Sequence, residues 1–105
     1  MPEARRHEIF VELQVRDEAG YSRYREAMRP LLEARGGYFR RDYRVVEVLQ
    51  GPGSPVNRVF VISFPDAAAK QAFFADEAYR AVRAAFFDAA VESGGVVAAY
   101  ETAPA

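Results

Sequence analysis

The chain has 105 residues, half of them hydrophobic and 28% charged, with 14 basic side chains against 15 acidic ones for a net charge of −1. That length fits one domain covering residues 1–105, and the near-neutral balance argues against the basic surface of a nucleic-acid binder. The absence of cysteine excludes disulfides, thiolate catalysis, iron–sulfur clusters and cysteine zinc sites. No apolar run approaches a membrane span, and "MPEARRHEIF" lacks an apolar leader core, so a cytoplasmic domain with no membrane partner is expected.

Residues 9 to 15, "IFVELQV", alternate: Ile9, Val11, Leu13 and Val15 on one face, Phe10, Glu12 and Gln14 on the other. A period of two predicts a strand with one face on a core. Asp17 stands where an N-cap belongs, and Tyr21, Tyr24, Met28, Leu31 and Leu32 follow at helical spacing. Pro30 removes a backbone donor and predicts a kink or short break; Gly36-Gly37 supplies a left-handed stop. A second strand is expected from about Tyr38 to Leu49. The turn signal "QGPGSPVN" then leads into a third strand, "RVFVISF". Pro65 ends that strand and Asp66 caps a second helix. Asp76 caps a restart whose stripe is Tyr79, Val82, Phe86 and Ala90, and Gly94-Gly95 is read as its stop. "VVAAYE" is a short fourth strand and "TAPA" a tail.

Strand–helix–strand–strand–helix–strand is the α+β ferredoxin-like plan, βαββαβ: an antiparallel four-stranded sheet with both helices on one face. The other face would carry Phe10, Val59, Val61 and some of Tyr43, Val46 or Tyr100, too apolar to be left in water. A homodimer burying the two faces together is expected. The stretch "RGGYFRRDYR" (35 to 44) raises the question of RNA, because arginines and aromatics interleave there. RNA-recognition domains share this strand order but carry their basic–aromatic motif on the third strand. Here it falls on the second, Asp42 and Glu47 interrupt the positive run, and no nucleic-acid partner is expected.

The segments "VEVLQG" (46 to 51), "NRVFVISFPDAAAKQAFFADEAYRAV" (57 to 82) and "YSRYREAMRPLLEARGGYF" (21 to 39) resemble domain-of-unknown-function family 1330, within the dimeric α/β-barrel superfamily. The spacing from Phe64 to Tyr79 is the most specific part. The resemblance implies a ferredoxin-like subunit whose sheet joins its partner's in a barrel with the helices outside, and it implies no particular activity. Members often carry Arg-Gly-Gly where this chain has Asp42-Tyr43-Arg44, and an acidic residue where it has Ser63, so those roles are not carried across.

Superfamily relatives include cofactor-free monooxygenases, haem-degrading and chlorite-converting enzymes and small isomerases, yet fold does not fix function. The lone histidine, His7, opens the first strand, where a surface or strand-edge role is expected rather than haem or metal ligation. No spaced acidic cluster suggests a metal site, so no metal and no cofactor is expected. Ser54 sits in "GPGSP" with no nucleophile elbow around it, and that loop lacks the ending of a phosphate loop. What remains is an apolar cleft with a few polar groups: Phe10, Glu12 and Gln14 from the first strand, Ser63 beside Val59 and Val61, and Tyr24, Arg41 or Arg44 at its mouth. Glu12 among Phe and Val could act as a base on a small acidic carbon or phenol. Alternatively, it pairs with an arginine of the second strand and holds a dimer together. Tyr21, Tyr24 and Tyr79 are expected in helix-to-sheet packing, with hydroxyls on water or backbone. The expected function is a small-molecule binding module, with a cofactor-independent monooxygenase- or isomerase-type enzyme and a purely structural or interaction protein as the alternatives.

Overall fold

The computed structural model describes residues 5–51, 53 and 55–103; Ser54 and the last two residues of the tail lie outside them. Strand β1 (His7–Val15) leads to helix α1 (Glu18–Ala34), β2 (Tyr38–Arg44), β3 (Arg58–Phe64), α2 (Ala67–Ala75) and α3 (Glu77–Val82). From α3 the chain continues through a π-helical segment (Arg83–Phe87) and a short α4 (Asp88–Ala90) into β4 (Val91–Glu101). The strands form one sheet in the order β2-β3-β1-β4, with every neighbouring pair antiparallel. This is the ferredoxin-like α+β arrangement.

The alternation of β1 decides which face is dry. Ile9, Val11, Leu13 and Val15 are buried together with Phe60, Ile62 and Phe64 of β3, beneath Tyr21, Tyr24, Met28 and Leu32 of α1. All three expected caps form: Asp17 accepts from the Gly20 N–H, Asp66 from Ala69 and Asp76 from Ala78, each satisfying an otherwise orphaned helix donor. Helix α1 ends at Gly36, whose φ of 76° is the left-handed conformation expected there.

Three local expectations are corrected. Helix α1 runs through Pro30 without a break. Strand β2 stops at Arg44 rather than Leu49, because β3 begins only at Arg58 and, beyond the Val45 N–H bond to the Asn57 carbonyl, the ladder does not continue. Gly94-Gly95 does not end a helix: β4 already begins at Val91, and these glycines pair with Leu13 and Glu12 of β1. The stripe after Asp76 holds, with Tyr79 and Ala90 in the core and Val82 and Phe86 against it, but the π-helical turn also brings Phe87 there. Its ring lies edge-on to Tyr24, with centroids 5.0 Å apart.

The buried tyrosine hydroxyls meet side chains. The Tyr24 and Tyr79 hydroxyls share a hydrogen bond of 2.8 Å, and Tyr21 accepts from Arg25 Nε at 2.8 Å. Burial, and then the neighbouring Tyr79 hydroxyl, hold the Tyr24 phenol far above its ordinary range. Removing either hydroxyl leaves the other buried without a partner. Tyr79→Phe is therefore expected to cost about 1–2 kcal/mol, read as a lower urea midpoint with an unchanged slope. The double variant Tyr24→Phe/Tyr79→Phe should cost less than the sum of the singles.

Candidate functional site

Opposite the helices, the sheet presents an uncovered face whose members follow from the register. Across β1 and β3, Glu8 faces Ser63, Phe10 faces Val61 and Glu12 faces Val59. On β2, Tyr38, Arg41 and Tyr43 oppose Ser63, Val61 and Val59, with a bulge at Arg40 between Phe39 and Arg41. On β4, Tyr100 and Ala98 oppose Glu8 and Phe10. Because side chains alternate along a strand, these residues share one surface. The bulge matters: it keeps Arg41 on this face while Asp42 and Arg44 turn to the helical side.

One end of the face is polar and closed. Glu8 is only 2% exposed, with Oε1 accepting from the Tyr100 hydroxyl at 3.1 Å and Oε2 lying 3.5 Å from Arg40 Nε. Burial, and then that hydrogen bond to Glu8, raise the Tyr100 phenol above its usual range. Ser63 is fully buried; its Oγ accepts from Arg6 Nε at 2.8 Å, and Arg6 also donates to the Gly36 carbonyl at 2.9 Å while lying over the Tyr38 ring. His7 is buried rather than superficial and meets Glu101 through Nδ1 at 2.9 Å.

The other end is open and centred on Glu12. A hollow of ≈ 420 Å³ is lined by Glu12, Val45, Glu47, Val48, Val56 and Val59, among others. A second of ≈ 230 Å³ lies beside it, lined by Glu12, Gln14, Val56, Ser93 and Val97 among others. Glu12 and Val56 belong to both. Strand β4 approaches closely here because Gly94, with φ 116°, has no Cβ to collide with the Glu12 carbonyl. Among the described residues the Glu12 carboxylate meets no cation; Arg41 reaches only the Arg40 carbonyl, at 3.3 Å. Gln14 Oε1 is buried without a hydrogen-bond partner.

Of the residues singled out from sequence, Phe10, Glu12, Gln14, Arg41 and Ser63 thus share the open face, although Ser63 is enclosed at the polar end. Tyr24 and Arg44 do not join them. Tyr24 is buried under the helices, and Arg44 lies on the helical side, with Nη2 3.9 Å from Glu18 Oε2. That side carries its own charge cluster. Asp42 is gripped by two guanidinium groups: Arg58 donates through Nε at 2.9 Å and Nη2 at 3.0 Å, and Arg25 through Nη1 at 3.0 Å and Nη2 at 3.2 Å. Burial pushes the Asp42 carboxyl up, but the hydrogen bonds from Arg58 and Arg25 outweigh it and hold the group below the usual carboxylate range. Within "RRDYR", Arg40 and Asp42 are thus engaged inside the fold, whereas Arg41 and Arg44 remain exposed.

Sequence reasoning missed the Arg6–Ser63 and Glu8–Arg40–Tyr100 contacts, and missed Glu47 as a wall of the larger hollow. The phase of Glu8 with Phe10 and Glu12 was a usable signal; the partners, 32 and 92 residues away by subtraction of their numbers, were not.

The match that decides kinship runs over residues 9–100, to the family model described as Domain of unknown function (DUF1330). The chain belongs to the DUF1330 family. No curated protein matches it. Among solved structures, this DUF1330 chain resembles a protein of unknown function from Rhodopseudomonas palustris, at 19% identity over 97% of this chain and 85% of the other, with a TM-score of 0.81. A dabb family protein with a ferredoxin-like fold from Mesorhizobium loti aligns at 17% identity over 97% and 99% of the two chains, TM-score 0.63. A dimeric protein of unknown function and ferredoxin-like fold from Bacteroides fragilis aligns at 16% over 92% and 96%, TM-score 0.52. At these identities the likeness establishes the fold. Among the described residues, no helix is long and apolar enough to cross a membrane.

Proposed function

We propose that this DUF1330 chain is a homodimeric small-molecule binding module, in which two copies meet through their open sheet faces and a small organic molecule occupies the hollow beside Glu12. The observation that carries the reading is the pair of adjoining, largely apolar hollows that share Glu12, a carboxylate with no ion-pair partner among the described residues. A few polar groups in an apolar cleft are what a small-molecule site requires. Dimerisation is supported by the apolar groups left exposed on or beside this face, among them Tyr43, Val96, Val97 and Tyr100. A second reading, a cofactor-independent enzyme with Glu12 as general base, is favoured by the same lack of a cation partner. A carboxylate free of an ion pair can take a proton from a small acidic carbon or a phenol.

A thermal-shift panel of phenols, quinones, keto acids, alcohols and amines on the purified protein tests both readings, with the mass in solution measured alongside. One compound class should raise the melting temperature by several degrees, since a ligand at a hundred times its Kd adds about 2.7 kcal/mol. Glu12→Gln should abolish most of that shift without dissociating the dimer. A flat panel on an intact dimer would instead favour a protein whose role is assembly alone.

A further inference from the structure

We infer that the molecule taken by the Glu12 hollow carries a cationic, hydrogen-bond-donating head on an apolar body: an alkyl- or arylammonium rather than an acid. The inference rests on the reading of that hollow as a ligand site and adds the chemistry of what enters it.

Three observations point the same way. The ionisable side chains lining the two hollows are Glu12 and Glu47, and no basic residue lines either one. Among the described residues no arginine pairs with either carboxylate. Arg40 lies against Glu8, Arg58 is held by Asp42, and Arg41 turns onto a neighbouring backbone carbonyl. Finally, Gln14 lines the smaller hollow and keeps a buried Oε1 with no donor. The charged side chains of the site are thus both acidic, with Gln14 Oε1 a further acceptor behind them.

Each class of ligand meets this differently. A carboxylate or phosphate would bring a third negative charge to two that are already uncompensated. A neutral apolar molecule would cover Glu12 and strip its water while offering nothing in return, which is costly for a charged group. An ammonium group has three donors and no acceptor. It can pair with Glu12, while its hydrocarbon body lies against Val45, Val48, Val56 and Val59. Charge-assisted hydrogen bonds of this kind are the stronger ones.

The test uses two matched series, 2-phenylethylamine, 2-phenylethanol and 3-phenylpropanoate, and hexylamine, hexanol and hexanoate, titrated calorimetrically into the full-length protein at low and high salt. In at least one series the amine should bind about tenfold or more tighter than the alcohol, with the acid weakest. Its advantage should shrink as salt rises. Glu12→Gln should bring the amine down to the level of the alcohol, and Glu47→Gln should cost it less. Binding in which the alcohol or acid equals the amine would overturn the ammonium preference and leave the ligand site standing. Absence of binding by all six compounds would overturn the site and the preference together.

Discussion

Gly94→Ala is expected to destabilise the protein by about 2–6 kcal/mol, the sum of two penalties that nothing nearby relieves. The backbone φ of 116° disfavours any L side chain, at about 1–3 kcal/mol. The added Cβ would also overlap the Glu12 carbonyl oxygen and stand 2.8 Å from Leu13 Cα, and overpacking of this kind costs about 1–3 kcal/mol. Those atoms are backbone of an interior strand, so no rotamer change makes room. Gly95→Ala is the control: a Cβ there meets nothing within 4 Å, and its effect should stay within about 1 kcal/mol. Urea denaturation of the pair reads the difference. A Gly94→Ala protein as stable as the Gly95→Ala one would show that β4 does not lie on β1 in this register.

Asp42→Asn comes second, with an expected loss of about 2–3 kcal/mol at neutral pH. Breaking a buried pair costs about 3–5 kcal/mol, and the figure is reduced here because the Asp42 side chain is 33% exposed and partly screened. The loss comes mostly through Arg25. Its guanidinium is buried against the Phe39 and Phe60 rings, at 3.8 and 4.5 Å from their centroids, and it would be left with a neutral amide. The pH dependence has a definite sign. The folded-state pKa of Asp42 lies below the unfolded value of about 3.9, so its contribution is complete above that value and is lost as pH falls through the folded pKa. Wild type and Asp42→Asn should therefore differ at pH 7 and converge in strong acid. A gap that persists at the lowest pH would mean that the variant acts through packing and not through charge.

The sequence was most informative where one local rule acts alone. Alternation identified β1 and its dry face, and three aspartates marked three helix starts, because capping is decided within four residues. It misled where two structures use the same local chemistry. A glycine pair after a helical stripe signals a helix stop, yet a positive φ serves a bulged strand equally well, and only the approach of β1 distinguishes them. "VVEVL" has strand composition, but the β2–β3 ladder does not extend past the bond between Val45 and Asn57. The bulge at Arg40 leaves no mark in composition, although it decides that Arg41 and Tyr43 face away from the helices while Asp42 and Arg44 face toward them. The candidate site was legible to the extent that alternation reaches: Phe10, Glu12 and Gln14 on one face. Tyr24 and Arg44 were misplaced because their positions depend on packing between distant elements.

Asn57 has a consequence for how such a site can diversify. Its side-chain amide accepts from the Val15 N–H at 2.8 Å and donates to the Val15 carbonyl at 2.9 Å, so it stands in for the backbone of a strand residue. Its own carbonyl accepts from the Val45 N–H at 2.9 Å. The two ends of the β2–β3 connection are thereby fastened to each other and to the sheet at one residue. Lengthening or rewriting the connection between those ends changes loop-closure entropy only slowly with length and leaves the core contacts alone. Val48 and Val56, walls of the hollow, lie within that span. Descendants of this chain can reshape the walls of the hollow by exchanging a tethered loop, without renegotiating the fold that carries it.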